Sequence, residues 1–88
     1  MTVEFLASFK RDLRTIRDTE LLARIQAAVE AVEQAEKLQD VPNLIKMQGG
    51  GSYCRLRVGD YRLGLSVNDN SVAFVRCLNR SEIYKNFP

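Results

Sequence analysis

At 88 residues, with 45% hydrophobic and 27% charged side chains, the chain has material for one domain around one core and too little for two. No run approaches the roughly 18 apolar residues of a membrane-spanning helix, and Met1-Thr2-Val3-Glu4-Phe5 lacks the basic-then-apolar order of a secretory signal. No membrane partner is therefore expected, and a cytoplasmic location is. Histidine is absent, which removes the usual neutral-pH acid–base group, the Ser–His and Cys–His pairs and most zinc sites. Cys54 and Cys77, with 22 residues between them, fit neither a disulfide scaffold nor a metal spacing and read as reduced sheet residues. No cofactor and no metal are expected.

Met1 to Phe5 opens into a short strand over Val3 to Leu6. Ser8 is a reasonable N-cap for a helix whose apolar residues Phe9, Leu13 and Ile16 recur at helical spacing. Asp18-Thr19 can cap a second helix, carried by Leu22, Ile25, Val29 and Val32 and ended by Pro42. Gly49-Gly50-Gly51-Ser52 lacks the lysine and hydroxyl residue of a phosphate loop and reads as a flexible entry to a strand. From Tyr53 the period becomes two: Cys54, Leu56 and Val58 alternate with Tyr53, Arg55 and Arg57. Beyond a break at Gly59-Asp60, Tyr61, Leu63, Leu65 and Val67 alternate with Arg62, Gly64 and Ser66. A turn at Asn68 to Asn70 leads to a third strand over Val72 to Leu78, and Asn79 or Ser81 can cap a last helical turn through Ile83 and Tyr84. The result is a single α+β domain over residues 1–88: an N-terminal strand and a helical hairpin on one face of a mainly antiparallel sheet, and a short C-terminal helix. The other sheet face is left for function.

Charge is divided unevenly along these elements. Residues 1–40 carry six Lys and Arg against eight Asp and Glu, whereas residues 41–88 carry seven against three. From Lys46 to Arg80 five of six cations are arginine (Arg55, Arg57, Arg62, Arg76, Arg80), and only Asp60 and Asp69 oppose them. Arginine's planar fork suits phosphate or carboxylate held in a fixed geometry, so an anionic partner is expected for this half.

A two-residue loop at Gly59-Asp60 fixes the hairpin register. It pairs Val58 with Tyr61, Leu56 with Leu63 and Cys54 with Leu65, all apolar, and sets Arg57 opposite Arg62 with Arg55 two residues along. Two like charges about 5 Å apart repel by about 1 to 3 kcal/mol before salt screening. An anion bound between the forks reverses that sign. For the third strand two registers stay open. A three-residue turn puts Arg76 beside Arg62 and sends Ala73, Val75 and Cys77 inward, and an even-length loop does the reverse.

The run Tyr53-Cys54-Arg55-Leu56-Arg57-Val58-Gly59-Asp60-Tyr61-Arg62, with Asn79-Arg80-Ser81-Glu82-Ile83-Tyr84 and Phe87-Pro88, resembles the RelE branch of the RelE/ParE toxin superfamily. The likeness spans nearly the whole chain and implies a toxin of a type II toxin–antitoxin pair that cuts messenger RNA, in the best-known members within the ribosomal A site. By position, the resemblance implies that Arg62 contacts the scissile phosphate, that Arg55 is a basic strand residue of the active site, and that Tyr84 lies near the cleaved nucleotide. Arg80 corresponds to the arginine of the family's His-Arg or Arg-x-Arg element. Where several active members carry a further arginine or a histidine just before that arginine, this chain has Leu78 and Asn79. Strand positions that hold lysines in the best-known enzyme are Tyr53 and Arg55 here. The implied partners are a cognate antitoxin, mRNA and the 70S ribosome, with a toxin–antitoxin heterotetramer as one form of the complex.

Cleavage by a ribose 2′-hydroxyl attacking the adjacent phosphorus requires charge stabilisation rather than a protein nucleophile. Arg62 with Arg55 or Arg57 can supply it, and Arg76 joins them in one of the two registers. Tyr84 and Lys46 are the candidates for moving protons, since arginine stays protonated. Tyr53 is placed to stack a base. Two other readings stand beside this one: a ParE-like, non-enzymatic inhibitor of DNA gyrase, and a family member that only binds its antitoxin.

Overall fold

The Gly59-Asp60 loop takes the form expected. Gly59 sits at φ +59°, a conformation that glycine adopts without strain. On either side of it the chain forms β3 (Tyr53–Val58) and β4 (Tyr61–Asn68). They pair Val58 with Tyr61, Arg57 with Arg62, Leu56 with Leu63 and Cys54 with Leu65. The computed structural model describes residues 1–47 and 52–87. The triple glycine read as a strand entry lies outside the described residues.

In chain order the elements are β1 (Thr2–Phe5), α1 (Ala7–Arg14), α2 (Thr19–Gln34), a 3-10 turn at Leu38–Asp40, β2 (Leu44–Lys46), β3, β4, β5 (Ser71–Asn79) and α3 (Arg80–Asn86). The five strands form one sheet in the order β1-β5-β4-β3-β2, with β1 parallel to β5 and the other pairs antiparallel. Phe9 and Ile25 of the two long helices meet Leu56, Leu63, Leu65 and Phe74 of the sheet in one buried cluster. Cys54 and Cys77 are buried there as free thiols. No helix among the described residues is long and apolar enough to cross a membrane.

Two local expectations need correction, and one strand was not foreseen. Ser8 lies inside α1, whose N-cap position is Leu6, and its hydroxyl donates to the Val75 carbonyl oxygen at 2.5 Å. The second helix starts at Asp18 as expected, its carboxylate accepting from the amides of Glu20 and Leu21, but it ends at Gln34, well before Pro42. Pro42 instead leads, through Asn43 at φ 66°, into β2, a strand of three residues too short for its period to be legible.

β5 follows both of the alternatives weighed for it, each over half its length. Its turn is the even-length one, with Asn68 opposite Ser71, so Val72 and Phe74 point into the core. A bulge then places Leu65 opposite Phe74 but Gly64 opposite Arg76, leaving Val75 extra and returning Cys77 to the core. The bulge falls where β1 stops pairing with β5 at Phe74. From there α1 covers the open strand edge: the Leu6 amide donates to the Phe74 carbonyl, Ser8 Oγ to that of Val75, and the Cys77 amide to Asp12 Oδ2 at 2.9 Å.

Candidate functional site

Alternation along β3 and β4 turns Tyr53, Arg55, Arg57, Arg62, Gly64 and Ser66 away from the helical hairpin. Arg57 and Arg62 face each other across the strands, and among the described residues their fixed charges meet only neutral acceptors. Arg57 Nη2 donates to Asn43 Oδ1 at 3.1 Å, and Arg62 Nη1 donates to the carbonyl oxygens of Gly59 and Tyr61, both at 2.9 Å. Among the described residues the one guanidinium–carboxylate pair is Arg76 with Asp12, at 2.7 Å. Repulsion between Arg57 and Arg62 is therefore left standing at the surface.

Arg76 takes a different course from the other arginines. Its Nε and Nη2 both donate to the Asp12 carboxylate, which also accepts the Cys77 amide, and the bond to Asp12 raises its pKa further. The fork is thus occupied by an internal anion. Expected among the substrate-binding cations, Arg76 serves here to anchor α1 on the bulge of β5.

Beside the arginine row, α3 does not leave the open face bare. Asn79 caps this helix by accepting from the Ser81 amide and hydroxyl, both at 3.0 Å, one of the two caps expected. At its other end Phe87 is buried on the sheet. A methyl group built at Gly64 would meet the Phe87 ring at 2.8 Å, so only glycine leaves room for it there, and the same ring meets Tyr53 edge-on at 5.5 Å. That seating brings the exposed Tyr84 ring over Arg55, whose guanidinium carbon lies 4.5 Å from the ring centroid. Arg55 Nε, buried beneath, has no acceptor among the described residues.

Ile45, Lys46, Met47, Arg55, Tyr84 and Phe87 together line a hollow of about 400 Å³. Lys46 reaches it only from the edge of the sheet. Its register partner is Cys54, which faces the core, so Lys46 also borders an apolar hollow on the helical side with Leu38, Leu44 and Val67. Arg80 is exposed at the first turn of α3, its amide bonded to the Asp60 carbonyl. Burial pushes the Cys54 thiol up against the opposing effect of Lys46, and pushes Cys77 up to about 12 with Asp12 adding to the shift. Neither thiol supplies a thiolate at neutral pH.

The structure thus joins Arg55 to Tyr84 and Arg57 to Arg62 on adjoining rows of one face, with Tyr53 alongside. Gly64, Phe87, Ile45 and Met47 were not singled out as site residues from sequence. A glycine in the interior of an otherwise apolar and basic strand was the available signal for a close approach.

A five-stranded sheet carrying a helical hairpin on one face, arginines on the other and a short C-terminal helix defines the RelE-like class of small toxins. Residues 3–84 match the family model described as the ParE toxin of the type II toxin–antitoxin system parDE. The chain is 35% identical over 89 residues to Toxin RelE3 of Methanocaldococcus jannaschii, covering 100% of both. Among solved structures it resembles the RelB–RelE antitoxin–toxin complex from Methanococcus jannaschii, with a TM-score of 0.79, 32% identity and coverage of 96% of this chain and 98% of that one. It also shares the fold of the RelE–RelB complex from Pyrococcus horikoshii OT3, with a TM-score of 0.72, 23% identity and coverage of 90% and 93%. The chain belongs to the RelE/ParE toxin superfamily, as a type II toxin of RelE type.

Proposed function

We propose that this toxin is an endoribonuclease that cleaves mRNA on the ribosome, the 2′-hydroxyl of one nucleotide attacking its own 3′ phosphorus. The observation that carries the proposal is the arginine face, which no carboxylate among the described residues neutralises: Arg57 opposite Arg62, with Arg55 adjoining and its Nε lacking an acceptor among those residues. A phosphate between these groups turns their mutual repulsion into attraction, and the attraction grows as charge builds on the phosphoryl oxygens. Arg62 and Arg55 hold those oxygens, Arg57 and Lys46 bind the neighbouring backbone, and Tyr53 offers a stacking surface. Tyr84 is the group placed to move a proton, because its ring already lies on Arg55 and its exposed position leaves the hydroxyl within reach of substrate. Arg80, at the start of α3, contributes charge from the rim. The ribosome supplies the ordering of the RNA strand, and a cognate antitoxin holds the toxin inactive until needed, as a toxin–antitoxin heterotetramer in one form.

Brief induction of the chain in cells, followed by primer extension on total RNA, tests this reading. New RNA ends inside coding sequences, absent with Arg62→Ala, are expected. Growth arrest with intact messages and a DNA-damage response would point to the gyrase-inhibiting alternative. No growth arrest from a chain that still binds its antitoxin would point to a catalytically weak member, a reading kept open by Leu78 and by Asn79, the helix cap, at the places where the resemblance implies an arginine or histidine in several active members.

A further inference from the structure

We propose that the apolar hollow on the helical side of β2 is a ligand site for a medium-chain aliphatic carboxylate, with Lys46 on its head group, and that filling it takes Lys46 away from the arginine face. The site stands independently of the nuclease reading, whereas its effect on the arginine face rests on that reading.

Strand β2 runs along the edge of the sheet, and the 3-10 turn at Leu38–Asp40 comes just before it in the chain. Side chains from these two elements, with others from the start of β3 and the end of β4, line a hollow of about 380 Å³. That volume falls within the range of about 300 to 1,000 Å³ usual for small-molecule sites. Its walls divide by chemistry. Leu38, Leu44, Cys54 and Val67 are apolar and continue the buried core. The exposed Gln39, Lys46 and Ser52 supply the polar groups, and no acidic side chain lines the hollow among the described residues. An ammonium, a carboxamide and a hydroxyl can all donate hydrogen bonds, and the ammonium carries the single charge. No aromatic ring stands among these lining residues to stack on a flat ligand, so the floor suits a flexible chain, and the rim suits an anion at the end of it. The head group stays at the exposed rim in contact with water. Burial of the chain then gains apolar contact without burying a charge.

Lys46 connects this hollow to the other side of the sheet. Its register partner Cys54 faces the core, and Lys46 opposes the rise that burial causes in the Cys54 thiol pKa, so its charge is felt on the helical side. Yet the same lysine borders the hollow of about 400 Å³ beside Arg55 and Tyr84. It has no carboxylate partner among the described residues, so no ion pair there holds the ammonium to either side. One side chain cannot serve anions on both faces at once. A carboxylate bound on the helical side therefore weakens the hold on an anion at the arginine face, and by linkage the reverse is also true.

Sodium octanoate and octanol, titrated separately into the free toxin, test the site, with the methyl groups of Leu38, Leu44 and Val67 and the Lys46 side chain followed by NMR. Saturable shifts of all four residues with octanoate are expected. Octanol should bind the parent about tenfold more weakly, and Lys46→Met should lose octanoate affinity to a similar degree, because each change removes the same charge-assisted hydrogen bond. Signals that ignore octanoate, including any that respond only to an antitoxin or to a rise in the toxin's own concentration, overturn the site, as does equal binding of octanol. Affinity for a single-stranded RNA oligonucleotide tests the effect on the other face. Saturating octanoate should lower it severalfold in the parent and leave whatever affinity Lys46→Met retains as it is. RNA that binds equally well with and without octanoate overturns the link through Lys46 and leaves the nuclease reading intact. RNA that fails to bind even without octanoate overturns that reading and the link with it, while the octanoate shifts still decide the site.

Discussion

Arg57 and Arg62 are placed where a fold gains nothing from them, and that makes their substitution informative. Converting Arg62 to glutamine removes the repulsion with Arg57 and loses an exposed hydrogen bond to the Gly59 carbonyl and a half-buried one to that of Tyr61. Its effect on stability should stay within about 0.5 kcal/mol, the ordinary range for a surface change, while RNA cleavage falls by about two to three powers of ten. Urea denaturation and a cleavage assay on the same preparation check the pair of outcomes. Asp12 is the contrasting case, a nearly buried carboxylate serving Arg76 and the Cys77 amide together. Asp12→Ala strands that guanidinium and amide, and a loss of about 3 kcal/mol in unfolding free energy is expected. Nothing in the sequence marked Asp12 for this role, since it stands among Lys10, Arg11 and Arg14 on what reads as the solvated face of α1. Its partner lies 64 positions away, and only the packing of α1 along the bulged edge of β5 brings the two together.

Among the elements, α3 decides whether the open face becomes a site. Its two fixings are the Asn79 cap and the Phe87 ring on Gly64, and each can be removed separately. Asn79→Ala should cost about 1 kcal/mol, as loss of an N-cap generally does. Gly64→Ala forces a methyl into the Phe87 ring, at an expected cost of about 1 to 3 kcal/mol, and frees α3 from the sheet. The signature of that release is a loss of the Tyr84 contact with Arg55, readable as a change in the tyrosine's NMR chemical shifts, with cleavage falling even though no substrate-binding charge has changed. The β3–β4 hairpin was legible in full from sequence because its core face alternates cleanly and Gly59-Asp60 admits one loop length. β5 was not, since a bulge breaks the period on which such a reading depends, and its two halves obey different registers. The position of Lys46 at the sheet edge, bordering hollows on both sides, had the same root: β2 spans three residues, too few to reveal which of them faces the core. Arg55, Arg57 and Arg62 share one face as the hairpin register implied, and Tyr84 joins them as the resemblance implied, whereas the hollow among them depends on Phe87 and could not be foreseen from charge alone.

For the molecule as a whole, stability and activity should respond to pH through different groups. Cys77 ionises at about 12 in the folded chain, above the ordinary thiol value, because burial and the nearby Asp12 both disfavour a thiolate. The unfolded chain therefore releases this proton first as pH rises. The contribution to stability is complete below about pH 8.5 and is lost progressively toward pH 12. Denaturation midpoints measured across that alkaline range should fall for the parent chain, and its margin over Cys77→Ala should narrow as they do. Neutral pH leaves this group uncharged, so it takes no part in the chemistry of the arginine face. The chemistry we propose for that face seats a phosphodiester among Arg55, Arg57 and Arg62, attacked by its own ribose. The most direct measurement is the identity of the RNA end left by purified toxin on ribosome-bound message, compared with a message bearing a single 2′-deoxy nucleotide at the cut position. A 2′,3′-cyclic phosphate end, abolished by that one deoxy substitution and by Arg62→Ala, is the predicted result; a free 3′-hydroxyl, or cleavage that persists at the deoxy position, would contradict it.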